Sequence, residues 1–497
     1  MIITDNTPQS PVKDSSQTTP LLGNASGSNP PPPAYSTPPP TQAGPTPIGN
    51  TYAAYQPVYT PGQLRLGESA GQRFCKAFLV AFGVWILASA LLGSITASGA
   101  FEDYGPYPIP GNVETNHCVT AWSGDIKNPT FPFFPYSAAT SFEFSLPSKT
   151  LVLLHKGGIS NGHLKIRSSS EVTDKVRVNV KVNYYKAAVR DTSQVCLIER
   201  SKGESGVGIF TPKPWRSPPS TDRLSFDVEL ILPRAKSVLN INALSTDVNN
   251  FSHDIDSLDG FYFNNLSLTA SNGEIQAAYL GSEKIALTTS NGNIAVDSLV
   301  APVATLRSTN GGVSGTYAVV DSLDLQTSNG VVDVAVTFTG GRSHKSTKEL
   351  TLHTTNNALN YIVNLGAASD KMGAFRVKAD TSNGKLTGEI VSAPLNSVLA
   401  IDTSTTNSQA SLTLPSTYEG GFQVATSNAP VLVKRVDLNE QDPACDYKQN
   451  CKGRTRSFKT TTVTKRSVTG YVHWDKKNAN RGKVSLTSSN GATTLYV

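Results

Sequence analysis

Lys284-Ile285-Ala286-Leu287-Thr288-Thr289-Ser290-Asn291-Gly292-Asn293-Ile294-Ala295-Val296 is a phrase that this chain repeats. Clear copies centre on Asn272, Asn291, Asn310 and Asn329, each 19 residues after the last. Looser copies follow at Asn356, Asn383, Asn407 and Asn428, and a final one at Asn490. A fixed step of this size is the mark of a stacked repeat. The apolar positions travel with the asparagine. Leu266, Ile285, Ala304, Leu323, Leu350, Val377, Ile401, Phe422 and Val484 stand six residues before it. Ile275, Ile294, Val313, Val332, Leu359 and Leu386 stand three after it. Within each half the apolar residues alternate with polar ones, which is strand periodicity.

Between the halves lies Ser/Thr-Asn-Gly. Asn and Gly tolerate positive φ, so a corner is expected there, with Gly292 and Gly330 in the left-handed region. One such unit has too little apolar surface to fold alone, so neighbours must stack. The fold class expected is all-β, a β-solenoid; an antiparallel sandwich of Asn-Gly hairpins is the alternative. The asparagines themselves are expected to stack as an amide ladder, a structural role.

The chain has 497 residues, a net charge of +6 and only 16% charged residues. That balance lacks the concentrated basic patch of a nucleic-acid binder. Residues 1–76 form a Pro-rich cytosolic tail, expected to be disordered; 14 of the 31 prolines precede residue 62. Residues 77–101 carry no charge, and 77–99 are read as one transmembrane helix. Arg65, Arg73 and Lys76 precede it, while Glu102 and Asp103 follow, so the N-terminus is placed in the cytosol. The segment lies too far into the chain for an ordinary cleaved signal, although Ala97-Ser98-Gly99-Ala100 resembles a cleavage site. The expected topology is a single-pass type II signal anchor, at the cell surface or in a vacuole or endosome.

Residues 100–136 read as a Pro- and aromatic-rich stalk, and 137–243 as an antiparallel β cap. Residues 244–435 hold the repeats, 436–470 an inserted basic loop and 471–497 the closing strands. Of five cysteines, Cys75 sits at the cytosolic edge of the span and is a palmitoylation candidate. The other four lie on the predicted oxidising side. Cys445–Cys451 closes a short loop, which leaves Cys118–Cys196. Asn250 and Asn265 head glycosylation sequons on that side.

Pro32-Pro33-Ala34-Tyr35 is a PPxY peptide of the kind that WW domains bind as a polyproline helix. Pro20-Leu21-Leu22 and Tyr55-Gln56-Pro57-Val58 are weak sorting patterns. Gly67-Glu68-Ser69-Ala70-Gly71 copies a nucleophile elbow, but without the strand and sheet that an elbow requires. Asp254, Asp256 and Asp259 imitate a calcium loop with wrong spacing and Asn265 where a bidentate Glu is needed. Asp297, Asp321, Asp324 and Asp333 fall at repeat edges without forming a recurrent pair. No catalytic, metal or cofactor-binding residues are expected. The loop's Lys448, Lys452, Arg454, Arg456, Lys459, Lys465 and Arg466 point to an anionic partner, an acidic glycan or lipid headgroup.

The stacked Leu-x-Leu-x-Thr-Ser-Asn-Gly-x-Ile-x-Val copies after an introductory β region resemble the putative-adhesin family of β-solenoid envelope proteins. The membrane-anchored layout resembles uncharacterised fungal members. The likeness covers residues 140–497 and implies architecture, with no catalytic residues. It implies a non-enzymatic ectodomain for surface or wall adhesion or envelope organisation. Alternatives are a trafficking adaptor recruiting a WW-domain ubiquitin ligase, or a glycan-active β-helical enzyme.

Overall fold

The computed structural model describes residues 81–82, 84, 107, 109–119, 122–127, 133–172, 174–213, 217–340, 347–366, 373–436, 441–447 and 453–497. The chain divides into two units, residues 1–97 and 98–497. Of the first, only Ala81, Phe82 and Val84 are described; all three are helical, and Phe82 and Val84 are exposed.

The second unit is a β-solenoid with two parallel walls. Each coil sends one strand up the first wall, turns at the Ser/Thr-Asn-Gly corner and runs along the second. On the first wall, Leu239–Val248 pairs in parallel with Phe261–Thr269, and that strand with Lys284–Thr288. On the second, Phe251–Ser257 pairs with Ile275–Gly281, then with the first half of Ile294–Arg307. Register is held without slip at the repeated apolar positions. Leu266, Ile285, Ala304, Leu323, Leu350, Val377 and Ile401 are partners in series. Each is at most 3% exposed, so the alternating pattern faces one shared core.

The coils do not stack in chain order at either end. Gly482–Ser488 lies between Val398–Thr405 and Gly420–Thr426 on the first wall. Thr493–Tyr496 likewise lies between Ala410–Thr413 and Val431–Lys434 on the second. The last coil in sequence is therefore the penultimate one in space. At the other end, Thr150–Lys156 and Ser160–Ser169 are also parallel coil strands. They fall inside the stretch expected to be an antiparallel cap. The outermost coil, Glu204–Phe210 and Leu224–Pro233, stacks on their far side.

Antiparallel strands do cap both ends. Gln194–Glu199 and Glu114–Cys118 extend the first wall, while Lys175–Tyr184, Tyr136–Ser145 and Ser123–Lys127 extend the second. At the far end the hairpin Ser457–Val463 and Ser467–His473 covers Gly420–Thr426. Thr150–Lys156 is apolar without alternation because its outer face is covered as well. Val152 and Leu154 pack outside the main core with Val113, Cys196, Ile198 and Phe210.

The corner geometry departs from expectation in one respect. Neither Gly292 nor Gly330 has positive φ; the positive-φ glycines lie elsewhere. At these two corners glycine allows close approach instead. A Cβ on Gly292 would lie 2.0 Å from the Gly273 carbonyl oxygen of the preceding coil, and one on Gly330 2.0 Å from that of Gly311. Three corners carry Asn357, Ser408 or Ala429 at this place.

One coil breaks the apolar rule. Thr246 stands in register with Leu268, and His253 with Ile275, so a polar pair replaces the usual Leu and Ile. His253 Nε2 lies 2.8 Å from Thr246 Oγ1. One coil away, buried His155 Nε2 lies 2.7 Å from Ser160 Oγ, which meets Thr211 Oγ1 at 2.7 Å. Neither imidazole Nδ1 has a partner among the described residues. Burial, with Lys156 beside His155 and His163 beside His253, pushes both histidines down to about 3.

Two outcomes follow from this packing. Gly292→Val should lower stability by about 1–3 kcal/mol, because the added side chain meets backbone that cannot withdraw; chemical denaturation against the parent measures it. The histidines give a pH dependence with a definite sign. Their folded values lie below the unfolded value of about 6.5, so below that pH the unfolded chain binds protons that the folded chain does not. Stability should be full above pH 6.5 and fall by about 1.4 kcal/mol per pH unit for each imidazole down to pH about 3. Hydrogen-exchange protection factors over residues 239–257, taken relative to the intrinsic rate at each pH, should fall on acidification, and much less in the double variant Thr246→Leu, His253→Ile.

Candidate functional site

The corners form a continuous edge along the solenoid. Asn272 Nδ2 donates to Asn250 Oδ1, Asn291 to Asn272, Asn310 to Asn291 and Asn329 to Asn310. The file continues through Asn356, Asn383, Asn407, Asn490 and Asn428, with all distances between 2.5 and 2.7 Å. The amide ladder expected from the sequence is present. It follows spatial order, with Asn490 before Asn428.

A second, buried file lies beneath it. Thr289, Ser308 and Thr327 donate their hydroxyls to Gly273 O, Gly292 O and Gly311 O of the preceding coil, at 2.9–3.0 Å. Each hydroxyl also accepts the N–H of its own corner glycine. The residue two before each asparagine thus closes its corner and ties it to the neighbour.

The cysteines divide as follows. Cys118 and Cys196 sit opposite each other on antiparallel strands and are bonded. Cys445 is also in a disulfide. Its expected partner Cys451 lies outside the described residues, as do Cys75, Pro32, Pro33 and Tyr35, the sorting patterns and the Gly67–Gly71 stretch. The sequons have different surroundings. Asn265 is exposed on Phe261–Thr269. Asn250 is the first rung of the ladder, and its Nδ2 donates to Ser160 O at 3.1 Å.

Two arginines of the inserted loop are held by neighbouring groups. Arg454 Nε and Nη2 reach Asp442 Oδ2 and Oδ1 at 2.6 and 2.9 Å. That guanidinium holds the Asp442 carboxyl below its usual range. Arg456 is buried, its Nη2 directed at Pro415 O and its guanidinium over the Trp474 ring. Glu419 anchors the return of the chain by accepting from Trp474 N, Asp475 N and Asn478 Nδ2. Lys459, Lys465 and Arg466 are exposed, while Lys448 and Lys452 lie outside the described residues.

Some of the acidic residues singled out in the sequence face basic groups. Asp254 lies 3.7 Å from both His163 and Lys165, Asp256 lies 3.6 Å from Lys165, and Asp324 meets Arg307 at 2.9 Å. Among the described residues no group of His, Cys, Asp and Glu could hold a metal ion.

An open furrow runs along the outer face of the second wall, which the sequence did not signal because outward residues vary from coil to coil. One section, of about 610 Å³, is lined by Asn161, His163, Asp227, Ser252, Glu274 and Asn293 among others. It continues toward the cap through His163 and Asp227, and toward the later coils through Glu274 and Asn293.

Two family models match the chain. Residues 161–376 match the one described as Toastrack DUF4097, and residues 298–497 one described as a domain of unknown function, DUF7330. No curated protein matches. Among solved structures, the chain is similar to a putative cell adhesion protein from Clostridium sporogenes, at 10% identity and a TM-score of 0.15, covering 72% of this chain and 99% of that one. It is also similar to a putative adhesin from Parabacteroides distasonis, at 14% identity and a TM-score of 0.21, covering 53% and 94%. At such TM-scores neither likeness bears on the reading below.

Proposed function

We propose that this chain is a non-enzymatic, adhesin-like surface module, a β-solenoid ectodomain carried by a single-pass type II membrane anchor. The observation that carries the reading is the continuous core beneath unbroken outer walls. One cluster of buried residues runs from Ala138 to Val497. Corner amides and hydroxyls fix each coil to the next, so outward residues of successive coils stand in rows. Rows spaced by the strand separation of about 4.8 Å suit repeated weak contacts with an extended surface, where many contacts multiply. The uncharged segment 77–99, with basic residues before it and acidic ones after, supports the anchor and its orientation. No helix among the described residues is long and apolar enough to cross a membrane, and residues 77–99 lie almost wholly outside them.

Cells displaying the full chain should attach to an isolated cell-wall or envelope surface more than cells lacking it. Equal attachment would overturn the adhesive reading. Protease at the cytosolic face of sealed membranes should remove residues 1–76 and spare 110–497; protection of the tail would reverse the orientation. In the same preparation, glycan should be found on Asn265 before Asn250, whose amide nitrogen is already engaged in the folded coil. Mass mapping after glycosidase treatment reads both positions.

A further inference from the structure

We propose that the furrow on the second wall binds a linear, uncharged glycan lying along the solenoid axis. The inference rests on the adhesive reading and names the ligand class for it.

The furrow's floor is made by small outward residues on neighbouring coils. Ala295, Gly312 and Ser314 line a section of about 360 Å³ bounded by Glu274 and Gln276 on one side and Val331 and Asp333 on the other. The positions are consecutive in space, since Ala295 pairs with Ser314, and Ser314 with Asp333. Glu274, Gln276, Asn293, Ser314 and Asp333 are all exposed. Asn293 Oδ1 accepts the Gly312 N–H at 2.8 Å, which fixes that amide in the floor.

The chemistry selects the ligand. Amides, carboxylates and a hydroxyl can exchange hydrogen bonds with sugar hydroxyls in both directions. Val331, 39% exposed, and Ala295 offer apolar contact to the C–H face of a sugar ring. The furrow is open along its length, unlike the enclosed pockets that hold small ligands. Outward positions return at the strand spacing of about 4.8 Å, so an extended polymer can contact successive coils. Asp227, further along, faces Lys181 at 3.9 Å, but Glu274 and Asp333 have no ion pair among the described residues. Their charge opposes a polyanion. The furrow therefore favours an uncharged ligand over the acidic one suggested by the basic loop.

The test presents the full-length protein, in detergent, to immobilised neutral linear glucans, mannans and N-acetylglucosamine polymers, with polygalacturonate as the acidic comparator. At least one neutral polymer should bind, with little change between low and high salt. Ser314→Trp, which fills the floor, should weaken that binding at least tenfold. Thr387→Trp, on the same wall outside the furrow, should leave it unchanged, and equal melting of both variants excludes misfolding. Failure of every neutral polymer, undiminished binding by Ser314→Trp, or preferential salt-sensitive binding of polygalacturonate would overturn the proposal. So would cross-linking of the furrow to a protein in place of a glycan. Surface attachment that persists in Ser314→Trp would sink the furrow while leaving the adhesive reading intact.

Discussion

Each coil depends on the hydrogen-bonded corner that joins it to the next. A turn with exposed backbone must satisfy its N–H and C=O groups or lose stability. Here a buried Thr or Ser accepts its own corner N–H and donates to the carbonyl of the coil below, while the exposed Asn passes an amide bond to the next Asn. These bonds run along the solenoid axis, as the wall hydrogen bonds do. The corner is therefore tied to its neighbours as the walls are, and both files also form at the corners that carry Asn357, Ser408 and Ala429 in place of glycine. Asn250 Oδ1 receives the first of these amide bonds, from Asn272.

Much of this was legible in the residues. Spacing identified the corners, alternation identified the inward positions, and the repeated Asn implied the ladder. The polar exceptions also had causes. Thr403 stands where other coils carry Leu, and the hydroxyl on the buried Tyr361 ring meets its Oγ1 at 3.0 Å. Gly388 makes room for the same ring; a Cβ there would lie 2.2 Å from it. What was not legible depends on distances between coils. The need for Gly292 looks the same in sequence whether it comes from positive φ or from close approach. Arg454 and Arg456 read as free cations until Asp442 and Trp474 are seen beside them. The unalternating Leu151–Leu154 stretch fits burial on both faces but does not say which residues supply the outer layer.

Spatial order is the deepest of these gaps. Spacing along the chain says that Asn407, Asn428 and Asn490 head similar coils, but not which touches which. Placing the last coil between its predecessors makes the loop-bearing coil terminal, where its insertion reaches solvent without interrupting the stack. The buried Glu419 then holds the returning chain where it re-enters the wall. Fixed in this way, the second wall presents outward residues from many coils on one surface, which is what an extended ligand requires.

Proximity of cysteines tests this order most directly. Ser411 and Leu432 each pair with Thr494 and stand on opposite sides of it. Under mild oxidation, the pairs Ser411→Cys with Thr494→Cys, and Leu432→Cys with Thr494→Cys, should cross-link, read by peptide mapping. Ser411→Cys with Leu432→Cys should not, because a full strand separates them. Efficient cross-linking of that third pair, with loss of the first two, would contradict the inserted coil and the ladder that runs through it.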